Sequence, residues 1–133
     1  MIESSLLAYL LSSTVLTTAL GGNKVYTRVP NNIKMPWVVI KVLSGGTRSR
    51  MTQKFTGITD TVGVYIDDNL PKRGKDIAVI CLQLLENYRG DFSTIDDVFI
   101  TCSSIGTNDG VDGSYNYSFM SYITYKEETT FPT

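Results

Sequence analysis

The chain has 133 residues, of which 42% are hydrophobic and 19% charged, with a formal net charge of −1 and no histidine. This is the make-up of an ordinary globular domain over residues 1–133, able to bury roughly two-thirds of its extended-chain surface. Near-neutrality gives no global drive toward nucleic acid or a membrane, and the lack of histidine removes the commonest general base and metal ligand.

Residues 6–11 read LLAYLL, like the core of a signal peptide. Glu3 stands where such a peptide carries positive charge, and Ser12, Ser13 and Thr14 break the apolar run before it could span a bilayer. A helix is expected instead, with Ser4 or Ser5 as N-cap and Leu6, Leu7, Leu10 and Leu11 on one stripe. Ser13 is placed to cap a second short turn bearing Val15, Leu16, Ala19 and Leu20, ended by Gly21-Gly22.

A short strand over residues 25–29 and a proline-bounded loop over 30–36 follow. Residues 37–43 carry the strongest β signal of the first half, with Val38, Ile40 and Val42 on one face and Trp37, Val39, Lys41 and Leu43 on the other. Residues 61–67 alternate in the same way, Val62, Val64 and Ile66 opposing Gly63 and Tyr65, so the two strands are expected to form a hairpin. Between them, residues 44–60 read as a long loop opened by Gly45-Gly46. It carries Arg48, Arg50, Lys54 and Phe55 and has no acid before Asp60. Hairpins need only about two to five connecting residues, so this stretch reads as a flexible basic arm with a task of its own.

Asp67, Asp68 and Asn69 offer capping oxygens and Pro71 suits a first helical turn. Ile77, Ile80, Cys81, Leu84, Leu85 and Tyr88 then recur at helical spacing until Gly90. Lys72, Arg73 and Lys75 sit at the positive end of this helix's macrodipole, which costs about a few tenths of a kcal/mol per charge. Either Asp67, Asp68 and Asp76 screen them, or they meet an acidic partner. Residues 98–105 and 115–125 read as a second hairpin, whose turn-rich tip carries Asp109 and Asp112. Residues 126–133 read as a polar, loosely held tail. The order predicts an α+β domain: a mostly antiparallel sheet of two hairpins plus a short strand, with helices packed on one face.

No enzyme chemistry emerges. Serines and threonines are plentiful, but no histidine activates one and no GxSxG elbow occurs. Asp67-Asp68 reads as a cap and Asp96-Asp97 as a turn. The run from Asn108 to Gly113 lacks the closing glutamate of a calcium loop, and Gly45-Gly46 is followed by no GK[ST]. Cys81 and Cys102 have no metal-type spacing and read as buried thiols. Arg48, Arg50, Lys54 and Phe55 would suit phosphates and a base, but the strands lack an RNP-type pattern.

The wording IESSLLAYLL at residues 2–11, LGGNKVY at 20–26 and PWVVIKVLSGG at 36–46, with the strand at 62–67 and the helix at 77–88, resembles the tail-completion (tail-terminator) proteins of long-tailed bacteriophages over most of the chain. The resemblance implies a structural virion protein of the phage neck, assembled in the host bacterial cytoplasm, that forms a homo-oligomeric, hexameric ring. Such a ring ends polymerisation of the tail tube and joins the tail to the head connector or stopper protein. DNA passes through its lumen without specific binding, and no cofactor, metal or membrane is involved. The candidate docking residues on this reading are Arg48, Arg50, Lys54, Phe55, Lys72, Arg73 and Lys75, with Asp109 and Asp112 as acidic counterparts. The alternatives are a stopper or other connector ring and, from a different class, a small nucleic-acid-binding α+β module.

Overall fold

Runs rich in β-branched and aromatic residues give this chain three strands of 14 residues each, and the rest of the molecule is arranged around them. The computed structural model describes residues 2–50, 55–92, 95–109 and 114–128. In chain order the elements are α1 (Ile2–Leu11), α2 (Thr14–Leu20), β1 (Val25–Tyr26), β2 (Trp37–Arg50), β3 (Phe55–Asp68), α3 (Pro71–Leu85), β4 (Arg89–Phe92), β5 (Ile95–Cys102), β6 (Gly106–Asp109) and β7 (Tyr115–Glu128). The sheet runs β1-β2-β3-β7-β5-β4, and β6 pairs with β7 beyond the end of β5.

The α+β class stands, but the sheet is mixed. Val25 and Tyr26 of β1 lie parallel to Val38 and Val39 of β2, while all the other pairings are antiparallel. Nor is the second half a simple hairpin. The strand opposite β7 is broken into β5 and β6 by residues 103–105, and β4 adds a further edge to β5. In β5, Asp97 adopts a left-handed φ of 53° where the register with β7 slips. The expected turn at Asp96-Asp97 is thus a bulge inside a strand, a conformation that aspartate tolerates.

The expected flexible arm at residues 44–60 is the main correction. β2 continues to Arg50 and β3 starts at Phe55, so only residues 51–54, outside the described residues, lie between the strands. Ser44 opposes Thr61 and Thr47 opposes Thr59, so Gly45-Gly46 faces the single residue Asp60. The glycines therefore form a bulge rather than open a loop, as glycine inside a strand often does. Thr47, Thr56, Ile58 and Thr59 favour β structure, and β7 pairs with β3 along its whole length. The tail expected from Lys126 is likewise strand through Glu128, opposite Phe55; residues 129–133 lie outside the described residues.

Helix ends follow local chemistry with three changes, the first that α3 stops at Leu85, which leaves Tyr88 beyond the helix and Gly90 inside β4, instead of running to Gly90. Ser13 caps α2 by accepting the Leu16 N–H at 3.2 Å, and Gly21 closes it in a left-handed conformation. Ser4 and Ser5, expected as caps, lie within α1. Leu70, not Asp67 or Asn69, occupies the N-cap of α3, with Pro71 at its start.

All three helices pack on the same side of the sheet. Leu6, Leu10, Leu16 and Leu20 meet Ile77, Ala78, Cys81 and Leu85 over Val38, Ile40, Val62, Val64, Ile66, Ile100, Phe119 and Ile123. Each such fully buried aliphatic or aromatic side chain contributes roughly 1.5–3 kcal/mol before chain entropy is counted. Helix α1 touches β1 and β2 on one side and β4 on the other, so the sheet curls around it. Gly74 lets α3 approach closely: a Cβ there would lie 2.9 Å from the Tyr117 ring. The Tyr117 hydroxyl donates to the Pro71 carbonyl at 2.8 Å, tying the start of α3 to β7.

Candidate assembly surfaces

The start of α3 is held by a buried carboxylate. Asp68, the last residue of β3, is wholly buried and accepts from Arg73 Nε at 2.7 Å and Arg73 Nη2 at 2.6 Å, with the Leu70 N–H at 3.2 Å. Burial pushes its carboxyl up, but the Arg73 fork and the Leu70 N–H outweigh burial and hold it below the usual aspartate value. Arg73 is therefore committed to an internal partner. Lys72 and Lys75 are exposed, and neither has an ion-pair partner among the described residues. Asp67 does not screen them, because its carboxylate is on the opposite face of the sheet, accepting Trp37 Nε1 at 2.9 Å and Asn116 Nδ2 at 2.8 Å. The two sequence-level explanations thus divide: internal pairing accounts for Arg73 and leaves the two lysines open.

At the other end of α3, three rings from separate segments converge. Tyr9 of α1, Tyr88 after α3 and Phe92 of β4 have centroids 4.9, 5.1 and 5.3 Å apart. Their hydroxyls are fixed internally, Tyr9 donating to the Leu84 carbonyl at 2.8 Å and Tyr88 to the Asp91 carbonyl at 3.2 Å. The Tyr9 phenol is raised above its usual value by burial and by Tyr88. Together with Ser5, Ala8 and Asp91 the rings line a hollow of about 220 Å³. One carboxylate oxygen of Asp91 accepts the Asp97 N–H at 2.9 Å. The sequence marks Ser5 only as a cap and Tyr88 only as part of a helical stripe, and none of these residues as a site. Tyr9 and Phe92 are far apart along the chain, and no spacing rule links them.

The uncovered face of the sheet carries Trp37, Val39, Tyr65 and Tyr122, with Lys41 and the Asp67–Asn116 pair. Tyr65 lies down over Gly63, where a Cβ would meet its ring at 2.6 Å. A shallow hollow of about 250 Å³ between Val39, Lys41, Tyr65, Asp67 and Asn116 results.

The remaining candidates separate along the strands. Arg48 and Arg50 lie at the far end of β2, where Arg50 opposes Thr56 and Thr56 opposes Glu127. Asp109 ends β6 opposite Tyr115, which itself opposes Asp68. The stretch of β3 from Thr56 to Asp68 spans roughly 40 Å at about 3.3 Å per residue. Within one subunit the basic strand end and the acidic Asp109 are therefore at opposite ends of the sheet, and it is Lys72 and Lys75 that share Asp109's end. Phe55 starts β3; Lys54 and Asp112 lie outside the described residues.

Cys81 is buried and its thiol is pushed up to about 12 by burial, while Cys102 is half-buried beside Ser121 at 3.6 Å. Among the described residues no cluster of three or more metal-ligating side chains occurs, and no helix is long and apolar enough to cross a membrane.

No protein-family model matches the sequence, and no curated protein does. Among solved structures, a chain of the virion of a native gene transfer agent particle has the same fold, with a TM-score of 0.78 and 95% of each chain covered. Identity is 12%, so the likeness is one of fold.

Proposed function

We propose that this protein is a structural virion subunit of a tailed phage or phage-like particle. It forms a ring, a hexamer on the family resemblance, at the head-proximal end of the tail tube. The ring ends tube polymerisation, joins the tail to the head connector and lets DNA pass through its lumen. The observation that carries the reading is the end-to-end fold correspondence with a virion chain, at a TM-score of 0.78 over 95% of both chains. The sequence wording at residues 2–11, 20–26 and 36–46, which resembles tail-completion proteins, supports it independently.

On this reading the protein works without an active site. It supplies a rigid sheet buttressed by α1, α2 and α3, and surfaces that meet a neighbour in a repeating, heterologous way. Fractionation of phage assembly intermediates tests it. A terminator co-purifies with headless tails, whereas a stopper co-purifies with filled heads. Electron microscopy of the purified oligomer tests the ring itself. Salt-dependent binding of the monomer to DNA or RNA, with no ring formed, would overturn the reading in favour of a nucleic-acid module.

A further inference from the structure

Lys72 and Lys75 are misplaced for the stability of their own subunit. They occupy the first turns of α3, where the helix dipole is positive, and no described acid pairs with them. Asp76 is exposed on the same helix but makes no ion pair with either. The opposite end of the same helix has the converse character. There Glu86 follows the last helical residue, its carboxylate accepting the Cys102 N–H at 3.1 Å, and the hollow formed by Tyr9, Tyr88 and Phe92 is rimmed by Asp91. Helices α1 and α2 contribute Glu3 and no lysine or arginine. The nearby Arg89 is engaged over the Phe99 ring, 4.3 Å from its centroid.

Aromatic faces beside a carboxylate are the chemistry that receives an ammonium group with an aliphatic stem: the ring quadrupoles attract the charge and the stem covers apolar surface. Lys72 and Lys75 stand roughly 20 and 15 Å from the Leu85 end of α3, at about 1.5 Å per residue. They therefore cannot meet within one subunit. Two complementary patches at opposite ends of one helix define a head-to-tail contact, the kind that closes into a ring when the rotation between successive copies divides the circle.

We propose that Lys72 and Lys75 of one copy dock into the hollow of Tyr9, Tyr88, Phe92 and Asp91 on the next copy. One ammonium lies against the rings and the other meets the Asp91 carboxylate. The inference rests on the ring reading above and assigns its subunit contact.

Mixing of two variants tests it. Lys72→Ala with Lys75→Ala removes the donor, and Asp91→Lys spoils the acceptor; all three positions are exposed, so folding is checked simply by circular dichroism. In sedimentation velocity each variant alone is expected to stay monomeric under conditions where the wild type assembles, with self-affinity weakened by about tenfold or more. The mixture should yield 1:1 heterodimers and nothing larger, because only one good contact remains. If either folded variant forms rings as readily as the wild type, the contact is wrong while the ring stands. A wild-type protein that stays monomeric at every concentration, and alongside purified tail tubes, overturns contact and ring together.

Discussion

Replacing Arg73 with methionine should reveal how strongly the start of α3 depends on one buried charge. The substitution keeps an aliphatic stem but strands the Asp68 carboxylate, which is wholly buried. Breaking a buried pair costs about 3–5 kcal/mol. The Arg73 side chain is 39% exposed, so solvent screens the pair and water reaches the vacated site, and the Leu70 N–H still serves one oxygen. The expected loss at pH 7 is therefore about 2–3 kcal/mol, a large share of the roughly 5–15 kcal/mol typical of a domain. In the native protein the folded carboxyl lies below its unfolded value of about 3.9, so its contribution is full above that pH and is lost as pH falls through the folded value. Without Arg73, burial dominates and raises the folded value instead. The charged carboxylate then destabilises the variant at neutral pH, and protonation relieves it on acidification. The deficit should thus shrink as pH drops from 7 toward about 3.5. Urea unfolding at a series of pH values measures this, with the midpoint expected to fall by about 1–1.5 M at pH 7. A deficit below about 1 kcal/mol, or one independent of pH, would refute the assignment of Arg73 as the structural partner of Asp68.

Gly63→Val forces the Tyr65 ring off the sheet and should cost about 1–3 kcal/mol, with Tyr65→Ala in the same chain recovering most of it; lack of recovery in thermal melts would show that the clash lies elsewhere. Ser13→Ala should remove about 1 kcal/mol through loss of the bond to the Leu16 N–H, read from denaturant midpoints, while Ser13→Asp should be close to neutral. A disulfide-exchange reagent at pH 8 should modify Cys102 slowly and leave Cys81 untouched until unfolding; fast reaction of both native thiols would contradict their placement.

The cores of β2 and β3, the α3 stripe and the Ser13 and Gly21 caps were legible because each is a local signal of period or capping chemistry. The extent of the first hairpin was not. Gly45-Gly46 and the charges of residues 44–60 look like a loop in isolation, and only the full-length ladder with β7 makes that stretch a strand. For the candidate site, the sequence flagged Lys72, Arg73 and Lys75 together as an anomaly. Only Asp68, folded back five residues beneath α3, separates Arg73 from the two lysines. Tyr9, Tyr88, Asp91 and Phe92 gave no warning, since ring contacts between distant segments leave no spacing to read.

The sequence by itself determined an α+β domain without histidine chemistry, its helix faces and the inward sides of its long strands, because burial imposes periods of 3.6 and 2 on the residues. Tertiary structure decided what those elements meet: the parallel β1, the split partner of β7, the curl of the sheet around α1, and which cation is internal and which exposed. These depend on pairings between residues tens of positions apart, selected by the shape and charge of the folded whole and written in no local window.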